Sequence, residues 1–232
     1  MEPSERKCQH FFVYRKMYED PFQFFKMERG LVACTEIDGL MQTLNINHSS
    51  LDWRLLIDSS KLNLKAVLHH NGNISRSIPV GHSVHSKESY ENMKILMAAI
   101  NYDKFKWLIC GDLKVIALLL GLQQGFIKYC CVFWEWDSRA WSLQYSRKDG
   151  PARKSLEPGI MNVENQPLVQ PSKILLLSMH LKLVLVKYFV KAMNQEEAAF
   201  TYLREKVPRL SEAKSKEGIF IGPQIRDLIK EE

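Results

Sequence analysis

The sequence predicts a mixed α/β (α+β) fold, a sheet of about five strands flanked by helices, with a small helical region before it and a helical tail after it. Three observations carry that expectation. Between Trp53 and Ser83, three short apolar runs separated by turn residues read as consecutive strands. A segment of helical periodicity, the strand-like WLICGD and a second helical run then follow. At 232 residues and 46% hydrophobic, the chain has enough apolar surface for one core of ordinary size.

Residues 1–50 form the first region. The run HFFVYRKMYEDPFQFFKMERG mixes aromatics with charge and is expected to be helical on either side of Pro21, a residue suited to a first helical turn. Asp38 is placed to cap a short helix, with Leu40, Met41 and Leu44 at helical spacing.

Residues 51–136 form the expected core. WRLLIDSS and LKAVLHHNGN read as a hairpin, and RSIPVGHS as a third strand that Pro79 assigns to an edge. Ser86 is placed to cap a helix through Ile100, with Glu88 in its first turn and Met93, Leu96, Met97 and Ile100 on one side. The strand WLICGD, a helix LKVIALLLGLQQ stopped near Gly125, and a fifth strand, IKYCCVFWEW, complete the series. Three strands, helix, strand, helix, strand is the order of the ribonuclease H-like fold.

Residues 137–172 are a long polar connection with no convincing period, a length that marks an inserted or functional loop. Residues 173–232 read as helices, from about His180 to Met193 and Gln195 to Lys206, and then a short amphipathic segment. The longest apolar stretch, Ile174 to Val186, is 13 residues and is interrupted by His180 and Lys182, too short to span a bilayer.

The chemistry centres on two acids. Asp58 lies in the apolar strand WRLLIDS and Asp112 ends WLICGD. A carboxylate in such a strand is costly without a compensating cation or donors. In the ribonuclease H-like order the first and fourth strands are neighbours, so Asp58 and Asp112 would approach as catalytic metal ligands, holding Mg²⁺ or Mn²⁺ for attack on a phosphodiester. The bland alternative is that Asp112 caps the following helix and Asp58 faces water.

Other motifs are weaker. His82 and His85 have an HxxH spacing with no further ligand to complete a set. In the connection, Arg139, Trp141, Arg147, Lys148, Arg153 and Lys154 interleave cations with aromatics, a composition suited to phosphate contact and base stacking, or else to a solvated loop. The hairpin turn after Asp58 has Ser59 and Ser60 where a phosphate-binding loop needs glycine, which disfavours an ATP site.

The net charge of +6 and pI near 9.0 suit a polyanionic partner such as DNA. Five cysteines, odd in number, and a charged N-terminus lead to the expectation of a reduced intracellular protein, nuclear or cytoplasmic, with no membrane partner.

The runs WRLLIDSSKLNLKAVLHHNGN, SIPVGHSVHSKESYENMKIL, YDKFKWLICGDLKVIALLLGLQQG, KYCCVFWEWDSRA and HLKLVLVKYFVKAM resemble a family of uncharacterised proteins repeated in invertebrate genomes, similar to pieces of DDE/D transposases. The resemblance covers the chain from about Leu31 and implies metal-dependent cleavage or strand transfer on DNA as the ancestral activity. Two departures from that pattern point to a truncated, inactive copy. Trp134 stands where the family's CxxC pair would place its second cysteine, so Cys131 lacks a partner for zinc. The third acid, expected on a later helix, is also missing. A non-catalytic nucleic-acid-binding or protein-interaction module is the alternative reading.

Overall fold

The computed structural model describes residues 21–60, 62–125, 128–140, 142, 150–207 and 210–229. They form two compact units, divided between Leu175 and Leu176. The expected helix before Pro21 lies outside the described residues.

The first unit is a seven-stranded mixed sheet flanked by helices. Its strands are β1 (Phe25–Glu28), β2 (Leu31–Cys34), β3 (Trp53–Ser59), β4 (Leu64–His70), β5 (Ile78–Ser83), β6 (Leu108–Gly111) and β7 (Ile174–Leu176), in the spatial order β1-β2-β5-β4-β3-β6-β7. Reading β3 as the first strand, the last five run in the order 3-2-1-4-5. β3, β4 and β5 are the expected antiparallel meander, and β3 pairs parallel with β6.

Three expectations are corrected here. The N-terminal region is not purely helical, because Phe25–Cys34 form a β-hairpin that extends the sheet past β5. Its two turn residues, Arg29 and Gly30, both have positive φ (50° and 79°), as a tight two-residue hairpin loop requires. The run IKYCCVFWEW is not the fifth strand. Its described part is irregular, touching the later chain through an isolated bridge of Trp134 with Ala152, and β7 takes the place beside β6. Pro79 is not on the outer edge either. It pairs with Val67 of β4 beside a register shift, and β2 pairs with β5 only at residues 81–83, so no β2 residue lies opposite Pro79.

The helices of this unit are α1 (Ile37–Thr43), α2 (Tyr90–Ala99), α3 (Tyr102–Phe105) and α4 (Leu113–Leu119). The α2 helix starts later than expected, with Ser89 rather than Ser86 as its cap: the Ser89 hydroxyl accepts from the Asn92 N–H at 3.3 Å. Met93, Leu96 and Met97 of α2 are buried with β3's Leu55 and Ile57 and β6's Ile109 in one core. Gly81 permits this packing, since a Cβ there would come within 2.6 Å of Leu96 Cδ1.

Asp38 does not cap α1. Glu36 occupies that position without a side-chain bond, and Asp38 instead accepts from His48 Nδ1 at 2.8 Å and Lys104 Nζ at 2.6 Å. His48 Nε2 lies 3.3 Å from the Trp107 indole N–H. Because that nitrogen accepts, the ring's proton sits on Nδ1 and points to Asp38. The relay Trp107–His48–Asp38–Lys104 joins α1 to the entry of β6.

The connection after α4 is bound to the sheet unit. Gly121 (φ +71°) ends α4, and its carbonyl accepts from the N–H groups of Glu164 and Asn165 at 2.8 and 3.0 Å. A Cβ at Gly121 would lie 2.0 Å from Asn165 O, so only glycine fits. The Leu168 N–H reaches Leu119 O at 2.8 Å.

The second unit comprises α5 (Ser178–Ala192), α6 (Ala198–Lys206), α7 (Glu212–Lys216) and α8 (Gly222–Ile229). Val190, Phe200, Leu203, Val207, Phe220 and Ile225 form its own core. Among the described residues, no helix is long and apolar enough to cross a membrane.

Candidate functional site

The site is at the carboxyl ends of β3 and β6, where loops leave the sheet and where ligands of open α/β sheets commonly bind. Their parallel register pairs Leu55 with Ile109, Leu56 with Cys110 and Ile57 with Gly111. One residue beyond that last pair come Asp58, near the end of β3, and Asp112, which leaves β6 as the cap of α4. Gly111 permits the close approach, since a Cβ there would meet Ile57 O at 3.2 Å and Val115 Cγ1 at 3.0 Å. The two acids predicted from the sequence therefore belong to one strand-end pair.

Their surroundings differ. Asp112 is half-buried and caps α4, its Oδ1 accepting from the Val115 N–H at 2.7 Å. Asp58 is exposed, opposite Lys65 in the β3–β4 register. Asp112 thus has a structural duty, while Asp58 has a solvated carboxylate.

A third carboxylate lies close in the chain path, one that the sequence reading placed in a helical first turn. Glu88 precedes the Ser89 cap of α2, and its side chain is only 6% exposed. Its Oε1 accepts from the Ser59 hydroxyl at 2.6 Å, and its Oε2 pairs with Lys114 Nζ. Ser59 follows Asp58 and Lys114 follows Asp112 by two, so Glu88 links the segments bearing both acids. An ammonium committed to that carboxylate brings fixed positive charge to a place where a divalent cation would need negative charge. Among the described residues, no three His, Cys, Asp or Glu side chains gather as a metal-ligand set. This donor arrangement does not fit a two-metal phosphodiesterase centre.

His82 lies in β5, where burial, with Lys65 nearby, holds its imidazole below the ordinary histidine range, whereas His85 lies in the following bend. The connection residues separate into three groups. Trp141, Arg147 and Lys148 lie outside the described residues. Arg139 and Lys154 are exposed, and both donate backbone N–H groups to carboxylates, Arg139 to Asp137 and Lys154 to Glu135, each at 3.0 Å. Arg153 is half-buried and is a clamp: its guanidinium donates to Tyr129 O (3.0 Å), Cys131 O (3.0 and 3.2 Å) and Met161 O (3.1 Å). Burial lowers its pKa from the usual arginine value, with partial opposition from Cys131, Glu135 and Cys130.

A cleft of about 680 Å³ opens beside that clamp, lined by Tyr102, Val132, Phe133, Leu156 and several lysines. The sequence offered no sign of it, because its walls come from α3, the irregular run after α4 and the far end of the connection.

No curated protein matches the chain. A family model described as a domain of unknown function (DUF8704) matches residues 178–232, which fall in the helical unit. A second, described as a domain of unknown function (DUF8703), matches residues 13–169, nearly the whole sheet unit and more than half of the chain, and the chain accordingly belongs to the DUF8703 family.

Proposed function

We propose that this chain is a ribonuclease H-like domain of transposase descent that no longer cleaves phosphodiesters and acts as a non-catalytic nucleic-acid-binding module. The observation that carries the reading is the Glu88–Lys114 ion pair across the segments that bear Asp58 and Asp112. Catalytic Mg²⁺ or Mn²⁺ needs several carboxylate oxygens free to coordinate. In this chain one carboxylate is neutralised by a lysine, a second caps a helix, and Asp58 alone is exposed. Such a descent accounts for two acids at the ends of adjacent parallel strands without a catalytic complement. The net charge of +6, with Arg139 and Lys154 exposed on the connection, supports a polyanionic partner.

The test has two arms. Calorimetric titration of Mn²⁺ and Mg²⁺ into the wild type, Asp58→Asn and Asp112→Asn is expected to give no saturable binding. Anisotropy with single-stranded and duplex DNA at 50 and 200 mM salt is expected to show binding that weakens with salt and with Arg139→Gln/Lys154→Gln. Metal binding abolished by both asparagine substitutions, accompanied by DNA nicking, would refute the non-catalytic reading. Absence of DNA binding at 50 mM salt would refute the module.

A further inference from the structure

The cleft beside Arg153 has features that the strand-end reading does not use. Its volume, about 680 Å³, lies within the range of small-molecule sites. Lys106, Arg153, Lys154 and Lys173 line it against only two carboxylates, Asp103 and Glu157, so the lining is net positive. None of the four cations forms an ion pair among the described residues. The hydrogen bonds of the Arg153 guanidinium go to backbone carbonyls in a partly desolvated place, with Glu135 as a nearby carboxylate that makes no ion pair with it. Carbonyls satisfy its N–H groups without cancelling its charge.

The lysines come from different parts of the chain. Lys106 is held in a left-handed conformation (φ 50°) at the end of α3, Lys154 follows the clamp, and Lys173 precedes β7. Lysines from separate segments lining one concavity suit the compact, multiply charged head of a phosphate. Inorganic phosphate would leave most of 680 Å³ empty, so the remainder must be filled by an organic body, and Val132, Phe133 and Leu156 supply apolar wall for it. The wall is preformed, because Arg153 ties together Tyr129, Cys131 and Met161, and the Leu168 N–H is bonded to Leu119 O.

We propose that this cleft is a binding site for a nucleotide-sized phosphate ester, its phosphate held by Lys106, Lys154 and Lys173 and its organic part set against Phe133 and Leu156. The site is independent of the Asp58–Asp112 strand ends. Its ligand is either a free nucleotide or one nucleotide of a strand, which share this chemistry.

Calorimetry and thermal shift with AMP, adenosine and pyrophosphate on the whole chain test it, using Lys106→Gln/Lys173→Gln as the site variant and Lys65→Gln as a control. AMP is expected to bind at least ten-fold more tightly than adenosine. The double variant should lose at least ten-fold in AMP affinity with an unchanged melting temperature of the free protein, while the control binds as wild type. Displacement of AMP by an oligothymidylate, itself weakened by the double variant, would assign the source as a strand, and failure to displace would assign a free nucleotide. No saturable binding of AMP or pyrophosphate to folded wild type would overturn the proposal, as would AMP binding indifferent to Lys106 and Lys173. DNA binding that survives the double variant but is lost in Arg139→Gln would leave the module reading intact while separating it from this cleft.

Discussion

Ser59 donates its hydroxyl to Glu88 Oε1 at 2.6 Å, so the residue after the first-strand acid holds a carboxylate that is 6% exposed in place for Lys114. Removing one partner of such a group leaves a desolvated charge with fewer donors. Lys114→Ala should destabilise the sheet unit by about 1–2 kcal/mol, and Glu88→Ala by about 1–3 kcal/mol. Urea denaturation of the two single variants and the double variant should give a coupling energy of about 1 kcal/mol or more. Coupling near zero would mean that the pair does not lock the strand ends.

Arg153 gives a different kind of prediction, because it satisfies carbonyls rather than charges. Arg153→Ala should cost about 2–4 kcal/mol, since the carbonyls of Tyr129, Cys131 and Met161 lose their donor together. Arg153→Lys should recover little of that, because one ammonium cannot reproduce a planar fork of donors. Amide exchange is the direct measurement: protection should fall at residues 129–135 and 151–163 and hold in β3 and β6.

The thiols should react in order of exposure. Cys130 is exposed and Cys131 half-buried, while Cys34 and Cys110 are buried. Burial raises the Cys34 thiol to about 12, with a smaller opposing bond from the Glu36 backbone, so it stays protonated at ordinary pH. Among the four described cysteines, mass spectrometry after iodoacetamide treatment at pH 8 should find Cys130 labelled first, and Cys34 and Cys110 only after denaturant. Early labelling of Cys34 would contradict its place in the core.

Acid should weaken the link between α1 and β6. Burial is the largest single influence on the Asp38 carboxyl and pushes it up, but the bonds and charges of Lys104 and His48 together outweigh it and hold the group below the usual carboxylate range. A depressed folded value means that its contribution is fully present above the unfolded value of about 4 and is lost as pH falls through the lower folded value. Asp38 is half exposed, so the contribution is below about 1 kcal/mol. Asp38→Asn should lower the urea midpoint at pH 7, by an amount that shrinks as pH falls below about 4, with the Trp107 indole N–H resonance reporting the relay by NMR.

How far the sequence revealed this arrangement depended on how local the cause was. The meander and β6 were legible because alternating buried residues in Trp53–Ser59 and Leu64–His70 leave a period of two in the chain itself. Asp112 was legible as a possible cap for the same reason, since its bond to the Val115 N–H spans only three residues. IKYCCVFWEW was misread because an apolar run does not say which element already occupies the sheet edge, and the three-residue β7 wins that position from far along the chain. The β1–β2 hairpin had a signal in Arg29-Gly30, obscured by the aromatic and charged residues before it. Glu88 was missed because its partners, Ser59 and Lys114, are 29 and 26 residues away.

Gly121 has a consequence for how this protein melts. Its carbonyl receives two N–H groups from the far side of the connection while its own helix starts at the cap of Asp112. The excursion from α4 to β7 is therefore fastened near its beginning and its end to the same helix that covers the central strands. Loss of that fastening and loss of the sheet's cover are one cooperative event. The end of the connection that lines the cleft is thereby tied to the helix beside the sheet.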